Sequence, residues 1–253
     1  MKQNKTLIMI PTYNERENVP QMFQQISELN LDADLLFVDD NSPDGTGDII
    51  DDIIKDVDSA HALHRPGKQG IGSAHFEGIQ WAYGHNYQQL VTMDCDFTHS
   101  PSDIKEFLKH AESNDIVVGS RYMDDESLSD WNLLRKFLTY FAHFLTTALL
   151  RMTLDATGAF RCYRLDRVPL GCFELIKSKG YSFFFESLFV MVSNKFLIKE
   201  IPIKLPARTC GHSKMTLKDA FSSLKFLMEL YLTKLFKPAS LIYNKPQDYL
   251  SLF

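Results

Sequence analysis

Residues 6–46, TLIMIPTYNERENVPQMFQQISELNLDADLLFVDDNSPDGT, hold two short apolar runs separated by a helical pattern, and each run ends in a cluster of polar residues. Thr6–Ile10 and Asp34–Val38 have the length and largely apolar character of strands buried on both faces, and Glu17–Leu29 between them has helical spacing. Working outward, Leu90–Met93 and Ile116–Val118 read as further strands, and Gly47–Lys55, Ser73–Tyr83 and Ser102–Ala111 as helices. This βαβα order predicts an α/β fold, with a mostly parallel central sheet and helices on both faces. Ligands bind such sheets beyond the carboxyl ends of the strands, so the residues just after each apolar run are the candidates for chemistry.

Composition narrows the classes. With 253 residues, 45% of them apolar, the chain can bury a full core, and disorder is excluded as its main state. Four cysteines with no CxxC pair give neither a disulfide framework nor a structural zinc site. The net charge of −5 and pI near 5.9 argue against a nucleic-acid-coating protein, so no nucleic-acid partner is expected. The apolar run after MKQNK is too short for a signal peptide, and Phe137–Leu150, flanked by Arg135, Lys136 and Arg151, falls short of the ~20 residues that span a bilayer. The expected location is therefore the cytoplasm or the cytoplasmic face of a membrane, with peripheral attachment.

The strand ends are rich in functional groups. Pro11, Thr12, Tyr13, Asn14 and Glu15 follow the first strand, Asp39 and Asp40 the second, Asp94-Cys95-Asp96 the strand ending at Met93, and Arg121 the strand at Ile116–Val118. No GxGxxG or GxxxxGK[ST] loop is present to cradle phosphate through backbone amides, so phosphate must be met by a metal and basic side chains. Two carboxylates flanking one residue at a strand end can hold one hard divalent cation and leave positions open for diphosphate oxygens. Ser100-Pro101 and Asp103 begin the next helix, which leaves Asp94 and Asp96 without a capping task.

With these residues in view the chain resembles a known family. PTYNERENV (11–19), VDDNSPDGT (38–46), MDCDFTHSP (93–101), DIVVGSRY (115–122), DATGAFRCYR (155–164), KGYSFFFES (179–187) and RTCGHSK (208–214) are similar, in order, to the motifs of dolichyl-phosphate (polyprenyl-phosphate) mannosyltransferases of glycosyltransferase family 2. The resemblance implies a GT-A fold, a nucleotide sugar donor, GDP-mannose, a polyprenyl phosphate acceptor and a Mg²⁺ or Mn²⁺ cofactor. It implies one glycosyltransferase domain over 1–237, with a nucleotide-binding half at 1–122, an acceptor half at 123–215 and an amphipathic helix at 216–237, followed by a tail at 238–253.

Carried over residue by residue, the resemblance places Pro11, Tyr13 and Glu15 on the nucleoside and Val38 and Asp40 on the base edge. Asp94, Cys95 and Asp96 meet the diphosphate, with Asp94, Asp96 and Thr98 on the metal. Arg121, Arg208 and Lys214 bind donor phosphates, and Arg121, Arg135, Thr139 and Arg208 the acceptor phosphate; catalytic roles fall to Asp96, Arg121 and Arg208. An acceptor that is already an anion needs no strong base, so positioning and leaving-group stabilisation dominate, and displacement in one step inverts the anomeric centre.

Other residues are open to two readings. Glu186, within Phe183–Glu186, is either hydrogen-bonded structurally or faces the sugar, and Asp155 braces its loop or pairs with Arg161. The acidic set Asp48, Asp51, Asp52, Asp56 and Asp58 reads as a solvated helix face. Trp131–Met152 and Leu217–Phe236 are amphipathic patterns with basic residues, suited to a membrane surface or to packing on the core. The membrane-spanning tail of some family members has no counterpart after Lys237, so the chain is expected to bind membranes peripherally or through a membrane-anchored partner subunit. Cys95, Thr139, His143, His212 and the acidic MDDESLSD (123–130) depart from the family pattern on the acceptor and sugar side. They keep open a related transferase using a UDP-sugar or a hydroxyl acceptor, or a noncatalytic membrane-associated module; retention of Asp94 and Asp96 argues against the last.

Overall fold

A computed structural model describes residues 5–129, 131–206 and 216–244. The first half alternates strands and helices: β1 (Thr6–Thr12), α1 (Asn18–Glu28), β2 (Ala33–Asp39), α2 (Thr46–Ile54), β3 (Ala60–His64), α3 (Ile71–Gly84), β4 (Gln89–Thr92), α4 (Ile104–Ala111) and β5 (Ile116–Ser120). The second half contributes α5 (Leu133–Leu150), β6 (Arg161–Arg164), α6 (Leu170–Glu174), α7 (Ser182–Ser193), β7 (Ile198–Pro202) and α8 (Leu217–Phe236). The strands form one seven-stranded sheet in the order β3-β2-β1-β4-β6-β5-β7. Only β6 runs antiparallel to its neighbours, so the sheet is mixed but mostly parallel.

Strand alternation divides the core in two. Leu7, Met9, Leu36 and Val38 point to one face, and Ile8, Ile10, Leu35 and Phe37 to the other, as the period of two requires. Helices α1, α2 and α4 cover the second face through Met22, Ile50 and Phe107. Helices α3, α6, α7 and α8 cover the first, and α7 is buried from Ser182 to Met191 because it lies between the sheet and α8.

The four expected strands and four expected helices are present, with ends displaced by a residue or two. Three strands, β3, β6 and β7, are not among the strands the sequence pattern predicts. β3, AHALH, is a half-exposed edge strand with no continuous apolar run, and β6, RCYR, carries charge yet is fully buried. β6 and β7 come from beyond residue 122 but sit in the same sheet as β1–β5, so one hydrogen-bonded layer joins the chain on both sides of that position. Ser100 begins the 3-10 turn Pro101–Asp103 that leads into α4, but its hydroxyl pairs with Ser102 rather than capping the helix.

Candidate active site

A cleft of about 450 Å³ opens at the carboxyl edge of the sheet. Its floor comes from the turns after β1, β2, β4 and β5, and its walls from residues 157–159, 180–184 and the start of α8. Pro11, Tyr13, Glu15, Asp40, Asp94, Cys95, Asp96, Thr98, Arg121 and Arg135 all line it. Val38 and Thr139 do not: Val38 is packed in the core, and Thr139 lies one helical turn beyond Arg135, with its carbonyl accepting from the Tyr122 hydroxyl at 3.3 Å. Arg208 and Lys214 lie outside the described residues, but Leu205 and Thr216, on either side of that segment, both line the cleft.

The turns after β1 and β2 are tied to each other. Asp39 accepts from the Thr12 and Ser42 hydroxyls (3.1 and 2.6 Å), and the Ser42 hydroxyl accepts from the Asn14 amide at 3.0 Å. Asp44 accepts from the Arg16 amide (3.2 Å) and the Thr46 hydroxyl (2.6 Å), which itself accepts from the Glu15 amide at 2.9 Å. Asn14 and Asn41 adopt left-handed φ values of 56° and 55°, a conformation asparagine tolerates, and so reverse the chain at both strand ends.

Asp40 is held by a partner from β3's end. Arg65, with no side-chain exposure, donates Nη1 to Asp40 Oδ1 and Nη2 to Ser73 (2.6 Å) and Glu77 (3.0 Å). Burial pushes the Asp40 carboxyl above its ordinary range while Arg65 pulls it back. Asp40 Oδ2 has no protein partner among the described residues and is left for a ligand. Lys68, three residues after Arg65, places its ammonium 4.5 Å from the Tyr13 ring centroid, and both line the cleft. Arg65 and Lys68 were missed because β3 was missed; with β3 assigned, the residues after it fall under the same strand-end rule.

In the turn after β4, Asp96 is buried and its Oδ1 accepts from the Thr98 amide (3.1 Å) and hydroxyl (2.6 Å). Thr98, expected on a metal, orients the Asp96 carboxylate in this structure. Asp94 has a third of its side chain exposed, and its amide donates to His99 Nδ1 at 3.0 Å. Phe97 between them has φ 59°, a left-handed conformation costly for a bulky residue and concentrated at functional turns. Among the described residues no group of three or more His, Cys, Asp and Glu converges on one point. Two carboxylates on one turn, both lining the cleft, are the oxygen donors a hard divalent cation takes.

Arg121 lines the same cleft, within reach of the Asp94 charge. Its Nε and amide both meet Asp155 Oδ2, at 2.7 and 3.0 Å. Its Nη groups have no protein partner among the described residues and border the cleft, where two parallel donors suit a phosphate. Asp155 pairs with Arg121 and not with Arg161, which instead donates to the Ala156 and Phe184 carbonyls (2.9 and 2.8 Å) and the Ser187 hydroxyl (2.9 Å). Gly158 lies against this arrangement, since a Cβ there would meet Arg121 Nη2 at 3.3 Å. Arg135 stacks 3.3 Å above the Trp131 ring centroid, and the Trp131 indole donates to the Leu205 carbonyl at 3.1 Å. Glu186 proves structural: it accepts from the Lys177 amide (3.0 Å), the Ser178 amide (2.8 Å) and the Ser178 hydroxyl (2.5 Å), away from the cleft.

Residues 7–171 match the sequence profile of glycosyl transferase family 2. The chain belongs to that family. The polyprenol monophosphomannose synthase of Mycolicibacterium smegmatis is 34% identical over 215 residues, 84% of this chain and 81% of that protein. The undecaprenyl-phosphate mannosyltransferase of Micrococcus luteus is 35% identical over 213 residues, 84% of this chain and 88% of that protein. Among solved structures, S. aureus TarS residues 1–349 in complex with UDP-GlcNAc aligns with a TM-score of 0.56 at 12% identity over 90% of this chain. This chain spans 66% of that structure, and the likeness is one of fold, the GT-A arrangement of family-2 enzymes.

Proposed function

We propose that this chain is a metal-dependent hexosyltransferase that moves mannose from GDP-mannose to a polyprenyl phosphate with inversion, giving a β-linked lipid phosphate sugar. The observation that carries the reading is the pairing, across one cleft, of the Asp94–Asp96 carboxylates with an Arg121 fork held by Asp155 and open toward the cleft. The names of the two curated relatives support the lipid phosphate as acceptor.

In this reading Tyr13, Lys68 and Asp40 Oδ2 bind the nucleoside, and Asp94 and Asp96 hold Mg²⁺ or Mn²⁺, which when bound supplies positive charge to the diphosphate. Arg121 and Arg135 bring the acceptor phosphate to the sugar, joined by Arg208 and Lys214 from outside the described residues. Asp40 is tied to Arg65, Glu15 accepts from Asn18 at 2.6 Å, and Asp219 closes the capping box with Thr216. A phosphate acceptor is already an anion and needs none of them as a general base.

Two helices beside the cleft support a membrane-bound acceptor. On α5, Leu133, Leu134, Phe137, Phe141 and Phe144 are exposed, and on α8 Leu217, Phe221, Leu224, Met228 and Leu232 form an exposed stripe. Only Thr146 and Leu150 of α5, and Leu227 and Leu230 of α8, are buried. No helix among the described residues is long and apolar enough to cross a membrane. A face of this kind, with Lys136, Lys218 and Lys225 on the same helices, suits shallow insertion at the cytoplasmic leaflet, peripherally or beside a membrane-anchored partner subunit.

The test pairs donors with acceptors: GDP-mannose and UDP-sugars against a short polyprenyl phosphate and the corresponding polyprenol, with nucleoside diphosphate release and product anomeric configuration as readouts. Release confined to GDP-mannose with the lipid phosphate, giving a β-linked product, is expected. Turnover with the polyprenol but not its phosphate overturns the acceptor assignment, and an α-linked product overturns inversion.

A further inference from the structure

We propose that His99 is a positioning residue that sets the direction of the Asp94 carboxylate through the Asp94 backbone; this rests on the reading of Asp94 and Asp96 as the metal and diphosphate site. The turn from Asp94 to His99 closes on itself by two side-chain links. Thr98 meets Asp96 from its amide and hydroxyl, and His99 Nδ1 accepts the Asp94 amide at 3.0 Å. The left-handed Phe97 between them makes the turn costly, so the links that close it carry weight.

The His99 ring cannot swing away. It is 4% exposed and packs on Phe160 with centroids 5.0 Å apart, and Phe160 stacks on Phe107 of α4 at 4.1 Å. The ring is thus anchored to the core while its Nδ1 holds the amide of a residue whose side chain reaches the cleft. The contact to the Asp94 carboxylate itself is 3.8 Å, beyond hydrogen-bond range, so the influence runs through the peptide plane. Removing the acceptor leaves the part-buried Asp94 N–H without this partner and frees that plane to rotate.

The test uses an atom-for-atom contrast. In asparagine the carbonyl oxygen occupies the place of Nδ1, counted in bonds from Cα; in glutamine it is one bond further; phenylalanine keeps the ring and lacks the acceptor. Affinities of GDP and UDP are measured by calorimetry with Mn²⁺ and with a chelator, on the parent, His99→Asn, His99→Gln and His99→Phe, with melting temperatures recorded. For the parent, Mn²⁺ should tighten the better-bound nucleotide. His99→Phe and His99→Gln should lose at least tenfold of that gain while chelator-state affinity stays within twofold, and His99→Asn should keep the gain within threefold. A parent that gains nothing from Mn²⁺, or binds neither nucleotide, overturns the metal-site reading and this proposal with it. A parent that gains, beside glutamine and phenylalanine variants that gain equally, overturns the role of His99 alone. Equal loss in His99→Asn overturns the acceptor role and reduces His99 to packing. If His99→Phe does not fold, the asparagine and glutamine variants decide between the same outcomes.

Discussion

The turns after β1, β2 and β3 and the surface of α5 and α8 border the same cleft and are built on opposite principles. In the turns, Asp39 pairs with Ser42, Asp44 with Thr46 and Arg65 with Asp40, and each pair holds backbone or a carboxylate in place. Along α5 and α8 large apolar side chains face outward, with Leu133 at 84% and Phe221 at 73% exposure. A prearranged polar net suits a compact, charged ligand, because its cost of organisation is met on folding. An apolar face with few fixed partners suits a fluid, apolar one, for which area matters more than geometry.

The strongest way to break this comparison is to remove the charge on which the polar side converges. Asp96→Ala should lower kcat at least a hundredfold, since stabilisation of a departing diphosphate is worth about 3 kcal/mol or more. Steady-state rates across Mn²⁺ concentrations check this, and activity near that of the parent would show that Arg121 and its neighbours suffice alone.

A finer change tests whether the geometry of the net matters beyond its charge. Arg65→Lys keeps a cation beside Asp40 but loses the fork that also reaches Ser73 and Glu77. Nucleoside diphosphate affinity should fall about tenfold, equivalent to about 1.4 kcal/mol, by calorimetry. Unchanged affinity would mean that Asp40 holds its position without Arg65.

The smallest effect is expected on the apolar side. Phe144, 62% exposed on α5, should contribute about 1 kcal/mol to interfacial binding, because a ring at a membrane surface is only partly buried. Phe144→Ser should weaken partitioning to anionic vesicles about fivefold, read by co-sedimentation, while nucleotide affinity stays as in the parent. A loss of nucleotide affinity instead would mean that α5 supports the polar site and that the two regions are not separable.

What could be read in advance follows the same division. Apolar runs and helical spacing located β1, β2, β4, β5 and α1–α4, and the strand-end rule then led to Tyr13, Asp40, Asp94, Asp96 and Arg121, all of which border the cleft. β3 escaped because an edge strand needs little apolar character, and Arg65 and Lys68 escaped with it. The partners of Asp155 and Glu186 were equally hidden: each meets residues that only the path of the chain brings near.

The sequence by itself determined the layered α/β class, the sheet edge where the cleft opens and most of the groups at that edge. Hydrophobic periodicity and strand ends are local properties, written in runs of a few residues. Tertiary structure alone decided that Arg65 grips Asp40, that Arg121 rather than Arg161 takes Asp155, that Glu186 serves a loop, and that α5 and α8 turn their apolar sides outward. Pairings between residues apart in the sequence depend on strand order, loop path and which helix covers which face, and no local pattern in the chain encodes these.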